Sequence, residues 1–432
     1  MSGQARIGRR GGGAESRDGD LAADVVIAGA GPAGVAAAVA LACRRPELAE
    51  RGRILCFDKA RFPREKPCGG GLTGHARRAL DELGLQVRVG AVACRLGRIV
   101  YGAEERSVRL ERPVEVIRRE EFDADLVAQA RDRGVSVIEG EAVMSYQVDA
   151  ARGLVQVMTS RERCVRARAL IAADGAGSRI RKQMAQDDPH FPARPLRLFQ
   201  AELPGPRSFS LREEMIYDFS PMDSGLRGYV WLFPVEGGRL NVGAMHTPSR
   251  RLSSFDILGV LDRTLGRYGV KLPAAARGWP AWPYAPRARL ARPHVLCVGD
   301  AAGIDALTGE GIAVGLEHAP VAADAITSAL DSGDFSFAGY TGAVRRATVG
   351  RELKLDGRLA RLLYGPRGFR FWLSLVMFDS RVREAYAARV CGSEVLADRT
   401  GRLWSSLARH AISAPVRLHR MALASHGDQI TV

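Results

Sequence analysis

Lysine is scarce in this 432-residue chain. Five of its 63 basic residues are lysines and 58 are arginines, a bias that a GC-rich genome produces as readily as function does. Cysteine is scarce too. The seven cysteines (43, 56, 68, 94, 164, 297 and 391) are odd in number and include no CxxC, which excludes a disulfide framework and a paired-cysteine zinc site. Cys43, Cys56 and Cys297 sit in apolar segments and read as buried core thiols. A reducing, cytoplasmic compartment is the simplest setting for such usage. The eight histidines show no metal-ligand spacing, so no metal site is expected. Long apolar runs are missing: FWLSLVMF, residues 371–378, is far shorter than the roughly 20 residues of a bilayer-spanning helix. Residues 1–20, rich in Gly and Arg, lack the apolar centre of a signal peptide and read as a disordered tail. Helix-turn-helix, zinc-finger and RNP signatures are absent, and with them the case for nucleic acid.

What is present is ordinary globular composition, 46% hydrophobic and 26% charged, with chain enough for two or three domains. The net charge is +15, and residues 341–432 hold 16 Arg and Lys against 7 Asp and Glu, so +9 of it lies there. Such an excess is either a solvated basic surface or an attraction for an anionic partner: an acidic protein or an anionic membrane surface. The chain is then cytoplasmic or peripheral to a membrane.

Patterning gives the organisation. DVVIA at 24–28 reads as a buried strand, followed by a glycine turn, a helix over 32–44 and a second strand over 54–57 that ends at Asp58. This is a βαβ unit of parallel type. Helices are predicted at 75–83 and 120–132. Short strands are predicted across 86–118 with Pro113 as punctuation, then a strand at 135–138, a hairpin at 143–148 and 153–158, and a buried strand at 169–172. Residues 190–285 read as β-rich. A strand at 294–298 and a helix at 311–330 follow, and the spacing is helical from 338 onward. The fold class is α/β: a Rossmann-like cofactor domain in two parts (21–189 and 291–337), a β-rich substrate domain (190–290) and a basic helical C-terminal region (338–432).

GAGPAG at 29–34 lies between the first strand and helix. Gly29 allows the tight turn, Gly31 lets the backbone approach a pyrophosphate, and Gly34 allows close helix–strand packing. The helix N-terminus then faces the phosphates. Asp58 stands where an acid accepts hydrogen bonds from ribose hydroxyls, and Lys59 beside it is grouped with the cofactor-binding residues.

Two later motifs carry a resemblance. AADGAGSR at 172–179 is similar to the Asp-Gly motif of flavoproteins related to aromatic hydroxylases, and VGDAAG at 298–303, continuing to LTGEGI at 307–312, resembles their Gly-Asp motif. The resemblance implies FAD. Asp174 and Gly175 would lie near its pyrophosphate and Asp300 on its ribityl chain. Gly309, Gly311 and Ile312 would face the isoalloxazine edge, where backbone N–H groups and a helix dipole stabilise the charge of reduced flavin.

Finer features resemble the geranylgeranyl reductase branch of that superfamily. They are the Lys66-Pro67-Cys68-Gly69 loop within PREKPCGGGL, DALTGEG at 305–311, YVWLFP at 229–234, and Arg119, three residues before Phe122-Asp123, which matches an FAD-contacting arginine. The resemblance covers 24 to about 330. The departures are Leu226 where Pro is common, an extended first crossover at 44–53, and PCGGG for PCGDG. They bear on the substrate, not the cofactor. The lysine loop of flavin halogenases is missing.

The resemblance places Cys68 near the isoalloxazine, and Tyr229, Trp231 and Phe233 on one face of a strand lining the cavity beneath it. Cys68, Tyr229 and Trp231 are the catalytic candidates. Two chemistries stay open. Reduced flavin reduces a C=C bond of a prenyl substrate while a nearby acid supplies the proton, or it activates oxygen to hydroxylate an aromatic substrate, including a tryptophan of a partner polypeptide during quinone cofactor maturation. Outside the Gly-rich loop at 66–74 no second GxGxxG occurs, so NAD(P)H as electron donor would bind transiently, or a partner would supply the electrons. A long apolar tunnel lined by the 229–233 strand and the 371–378 helix would favour the prenyl chain. A broad arginine-rimmed mouth would favour a macromolecule.

Overall fold

The computed structural model describes residues 21–206, 213–248, 255–274, 276–365 and 368–426; the 1–20 tail lies outside them. The unbroken apolar segments form the centre of a six-stranded sheet. Its order is Ala291–Arg292, Val295–Cys297, Ala169–Ala172, Val25–Ala28, Ile54–Asp58, Ser136–Glu139, and every pair but the first is parallel. Val25–Ala28 and Ala169–Ala172 are buried at every position, which is why they lack the alternation of a half-exposed strand. The register sets Ala28 beside Phe57 and Ala172, and Ala172 beside Cys297. The loops after these strands therefore leave the sheet side by side.

The helix Pro32–Arg44 starts with Pro in its first turn and is apolar almost all round, so it is buried on nearly every side. The helix Ile312–Ser332 packs along it, with Ala33 touching Gly299 and Gly315. A four-stranded sheet (Leu21–Ala22, Cys164–Ala167, Leu154–Thr159, Val143–Asp149) adds Val155, Val157 and Val165 to the same core.

The second large sheet has eight strands, in the order Arg277–Ala281, Leu196–Pro204, Arg239–His246, Gly228–Val235, Glu214–Asp218, Ala91–Tyr101, Glu104–Ile117, Gly71–Leu72. Here the structure departs from the short strands expected across 86–118: they are two long antiparallel strands, and they join the sheet that holds Tyr229. Pro113 does not end a strand. It sits where the ladder skips from Cys94↔Val114 to Leu96↔Arg109, so its missing N–H is not needed.

The β-rich stretch also contains an unexpected helix, Ile257–Gly266. Its buried Ile257, Val260, Leu261, Thr264 and Leu265 follow helical spacing, and Asp256 Oδ1 accepts from the Gly259 N–H at 2.9 Å. Cys43, expected in the core, is exposed, because it falls in the last turn of its helix; Cys56 and Cys297 are buried. The C-terminal region is helical as expected: Tyr340–Arg346, Thr348–Leu363, Phe369–Phe378, Ser380–Val390 and Thr400–His426. Among the described residues no helix is long and apolar enough to cross a membrane.

Candidate functional site

The loops at the carboxyl ends of the central strands build the first half of the site. Gly29 has φ +104°, and a Cβ on it would lie 2.3 Å from the Ala173 carbonyl oxygen; a Cβ on Gly34 would lie 1.8 Å from the Gly29 oxygen. Both glycines are required by the protein's own packing. Gly31 is different. Its backbone is extended (φ −72°, ψ 179°), and the nearest atom to a Cβ there is Arg64 Nη2 at 3.4 Å. The protein leaves a cradle at Gly31 that a side chain would fill.

Asp58 is buried, and its Oδ2 accepts from the Ala30 N–H at 2.9 Å, so it shapes the glycine loop from below. Lys59 is exposed. Arg119 grips the fully buried Asp123 with Nε and Nη2 at 2.7 and 2.8 Å. Burial works against the guanidinium charge, but Asp123 and the neighbouring Cys68 thiol outweigh it and hold its pKa above the ordinary value. Arg64 reaches the same Asp123 at 3.2 Å and Asp58 at 3.9 Å. The sequence reading assigned it no role, although it stands in the PREKPCGGG run.

Asp174 is the first residue beyond Ala173. Its Oδ2 accepts from the Arg179 N–H at 2.9 Å, while Oδ1 is buried with no partner among the described residues, and burial raises its pKa. A buried orphan oxygen beside an open cradle is what a ligand with hydroxyl groups would complete, by donating to it. Asp300 sits in the turn Gly299–Ala301, with Oδ1 only 2.9 Å from where a Gly311 Cβ would be, so the Gly-Asp turn lies against the N-terminus of Ile312–Ser332. The Gly299 N–H donates to Nδ1 of buried His318 at 3.1 Å, and burial lowers that imidazole's pKa to about 4. Asp305 fixes the next loop, accepting from the N–H groups of Leu307 (2.6 Å) and Thr308 (2.8 Å). The residues present thus fit FAD: backbone amides and Arg64 for phosphates, Asp174 and Asp300 for hydroxyls, and the Gly309–Ile312 turn for the ring.

The second half of the site is a cavity of about 530 Å³. Its wall begins at Cys68–Gly71 and at Leu307–Ile312 and runs over Tyr229, Trp231 and Phe233, whose rings sit 6.2 and 6.4 Å apart in sequence. Trp372, Leu375 and Val376 of Phe369–Phe378 close the opposite side, and Arg358 and Leu362, both exposed, belong to its rim. Tyr229 Oη donates to the Thr308 carbonyl at 2.6 Å, and burial keeps the phenol far above its ordinary pKa. Trp231 Nε1 donates to Asn241 Oδ1 at 2.9 Å, and Asn241 Nδ2 donates to the Cys68 carbonyl at 2.7 Å. The polar groups of Tyr229 and Trp231 are therefore occupied in fixing loops. All three catalytic candidates line one cavity, and so does Glu310, which the sequence reading quoted within its motif but gave no role.

Comparison with known proteins bears on this arrangement. Residues 22–213 match the FAD binding domain family. The chain is 32% identical to menaquinone reductase of Mycobacterium tuberculosis, over 81% of this chain and 86% of that protein. It is 27% identical to digeranylgeranylglycerophospholipid reductase 2 of Methanopyrus kandleri, over 72% of this chain and 79% of that protein. A geranylgeranyl bacteriochlorophyll reductase-like protein from Thermoplasma acidophilum has the same fold: TM-score 0.67, 20% identity, 93% of this chain and 100% of that chain. A flavin-dependent brominase fits the fold equally well, with TM-score 0.67, 19% identity, and 92% and 100% coverage. Fold alone therefore leaves the chemistry open.

Proposed function

The chain belongs to the geranylgeranyl reductase-like branch of the FAD-dependent oxidoreductases, and from that premise we propose that it reduces carbon–carbon double bonds of a prenyl substrate. The observation that carries this reading is the cavity. It is walled by the aromatic strand on one side and by Trp372, Leu375 and Val376 on the other, and it is almost wholly apolar. Such walls suit a hydrocarbon chain and give little for a polar aromatic to bind. Bound FAD supplies the reducing electrons. The chain's own residues hold the flavin turn, align the alkene between aromatic and aliphatic walls, and keep water from it. The relatives from Mycobacterium tuberculosis and Methanopyrus kandleri are both named as reductases, which supports the same reading.

NAD(P)H is the proposed source of electrons, bound transiently, and anaerobic bleaching of the flavin by NADH or NADPH tests it. The C-terminal helices are proposed to rest on an anionic lipid surface. Their excess of arginine adjoins exposed Leu362, Val416 and Leu423, and Leu362 lies on the cavity rim. Sedimentation with anionic against neutral vesicles tests that.

The decisive experiment mixes reduced enzyme, without oxygen, with a polyprenyl lipid that has no quinone head. A quinone would accept electrons by itself and mislead. The expected result is reoxidation of the flavin together with product heavier by one H₂ per turnover. Monooxygenase chemistry is the second reading, since flavin-dependent hydroxylases share the fold. Product only in oxygenated buffer, carrying an added oxygen atom, would establish it and sink the first.

A further inference from the structure

Reduction of an alkene takes a hydride and a proton, and the walls of the cavity offer few groups able to give the proton. Tyr229 is tied to the Thr308 carbonyl, and burial pushes the phenols of Tyr217, Tyr229 and Tyr386 far up, which makes them weak acids. Behind the turn Leu307–Ile312 lies a cluster of four carboxylates, Asp305, Glu310, Glu352 and Asp356, around one buried guanidinium, Arg389. Arg389 is committed to Glu352 and Asp356. Asp305 is supplied by the Leu307 and Thr308 amides and the Thr308 hydroxyl. His75 is committed to Glu317 at 3.0 Å. That leaves Glu310. Its Oε1 accepts from the Thr73 hydroxyl at 2.5 Å, and its Oε2 makes no hydrogen bond among the described residues. Of the four carboxylates it alone lines the cavity.

We propose that Glu310 is the acid of the reaction, carrying the proton that the substrate carbon receives. This rests on the reductase reading above. Three buried carboxylates and the half-buried Glu310 share one buried guanidinium, an imbalance of charge that favours retention of a proton in the cluster. Burial weakens the acidity of Glu310 and of Asp356, and Arg389, Thr73 and His75 offset this only partly at Glu310. The balance is complete. The alkene gains a hydride from reduced flavin at one carbon and the Glu310 proton at the other. The flavin is left oxidised, the carboxylate is left ionised, and solvent returns the proton.

The test uses FAD-loaded Glu310→Gln and Glu310→Asp. In the infrared spectrum at neutral pH, wild type should show a protonated-carboxyl band that Glu310→Gln lacks; an unchanged spectrum overturns the proposal. This arm needs no substrate. Reduced beforehand with dithionite and mixed with a polyprenyl lipid, Glu310→Gln should be reoxidised about 100-fold more slowly than wild type, the lower range of general-acid effects. Glu310→Asp should recover part of the rate. The wild-type rate should fall as pH rises through the raised pKa of Glu310, and that limb should vanish in Glu310→Gln. Wild-type turnover in Glu310→Gln overturns the proposal while sparing the reductase reading. Loss of FAD in both variants overturns it too, since the role would be structural. A wild type that reduces no alkene sinks the reductase reading and, with it, the assignment of Glu310 as the acid, even where the infrared arm finds it protonated.

Discussion

The phosphate loop and the cavity wall both hold a ligand, yet they are specified in opposite ways. The loop works through backbone. At Gly29 and Gly34 the Ala173 and Gly29 carbonyls leave no room for a Cβ, whereas at Gly31 a Cβ would meet only the tip of Arg64. The wall works through side chains drawn from Cys68–Gly71, Gly228–Val235, Leu307–Ile312 and four C-terminal helices, stiffened by buried charge around Arg389. The difference is one of cause. In the loop, some residues answer to the fold and one answers to the cofactor. In the wall, the residues that shape the cavity are inseparable from those that hold the C-terminal region together.

The sharpest way to break this comparison is a pair of substitutions three residues apart. Gly34→Val places carbon inside the Gly29 carbonyl and should destabilise the protein by more than about 4 kcal/mol, the range of severe core lesions. Gly31→Val meets no atom of the protein closer than an arginine tip. Its flavin-free form should melt like flavin-free wild type, while FAD affinity falls at least about 100-fold, or roughly 2.7 kcal/mol. Thermal melts with and without FAD check both. Full flavin retention in Gly31→Val would mean that the cradle is not where the pyrophosphate lies.

That pair also explains what could be read in advance. GAGPAG and Asp58 could be picked out because backbone chemistry demands particular residues at fixed spacing, Asp174 and Asp300 only through motifs resembling those of a known family, and buried parallel strands announce themselves as apolar runs. The parallel sheet and the helical C-terminus followed. The partnership of Tyr229 with Trp372 could be posed only as an alternative, because residues some 140 apart in sequence meet through tertiary packing. Arg64 and Glu310 went unassigned for a related reason. A single charged residue inside a glycine run carries no period, and its meaning depends on Asp123, Thr73 and Arg389, which lie far away in sequence. The helix Ile257–Gly266 was hidden by the Pro- and Gly-rich strands on either side.

The wall can be tested from its charged side. Arg389 Nε and Nη2 bind Glu352 and Asp356 in the buried interior, and Glu352 Oε1 also holds the Ala397 N–H at 2.7 Å. Arg389→Met leaves these carboxylates without their cation, and removing one partner of a buried pair costs about 3–5 kcal/mol. Urea denaturation should show that loss, with part of it recovered when Glu352→Gln and Asp356→Asn are added. An isolated loss below about 1 kcal/mol would mean the cluster relaxes into water on its own, and the rigid-wall description would fail.

The smallest effect expected lies where loop and helix meet, at His318. Its Nδ1 accepts from the Gly299 N–H, so the ring serves only while that nitrogen is unprotonated. Protonation would set one N–H against another beneath the Gly-Asp turn. Burial lowers the pKa from 6.5 to about 4, so between those values the unfolded chain binds the proton and the folded one does not. The stability this residue secures is therefore complete above its ordinary pKa and drains away as pH falls toward about 4, amounting to roughly 2–3 kcal/mol between about pH 7 and pH 4.5. His246, also lowered to about 4 by burial, adds a loss of the same sign and stays in place as background. Asn at 318 can offer an amide oxygen to Gly299 without titrating. His318→Asn should thus match wild type near neutrality and lose less stability on acidification, read as a shallower fall of the urea midpoint and a later release of fluorescent FAD. Parallel acid profiles in the two proteins would remove His318 from the support of the Gly-Asp turn and leave that turn to its own backbone.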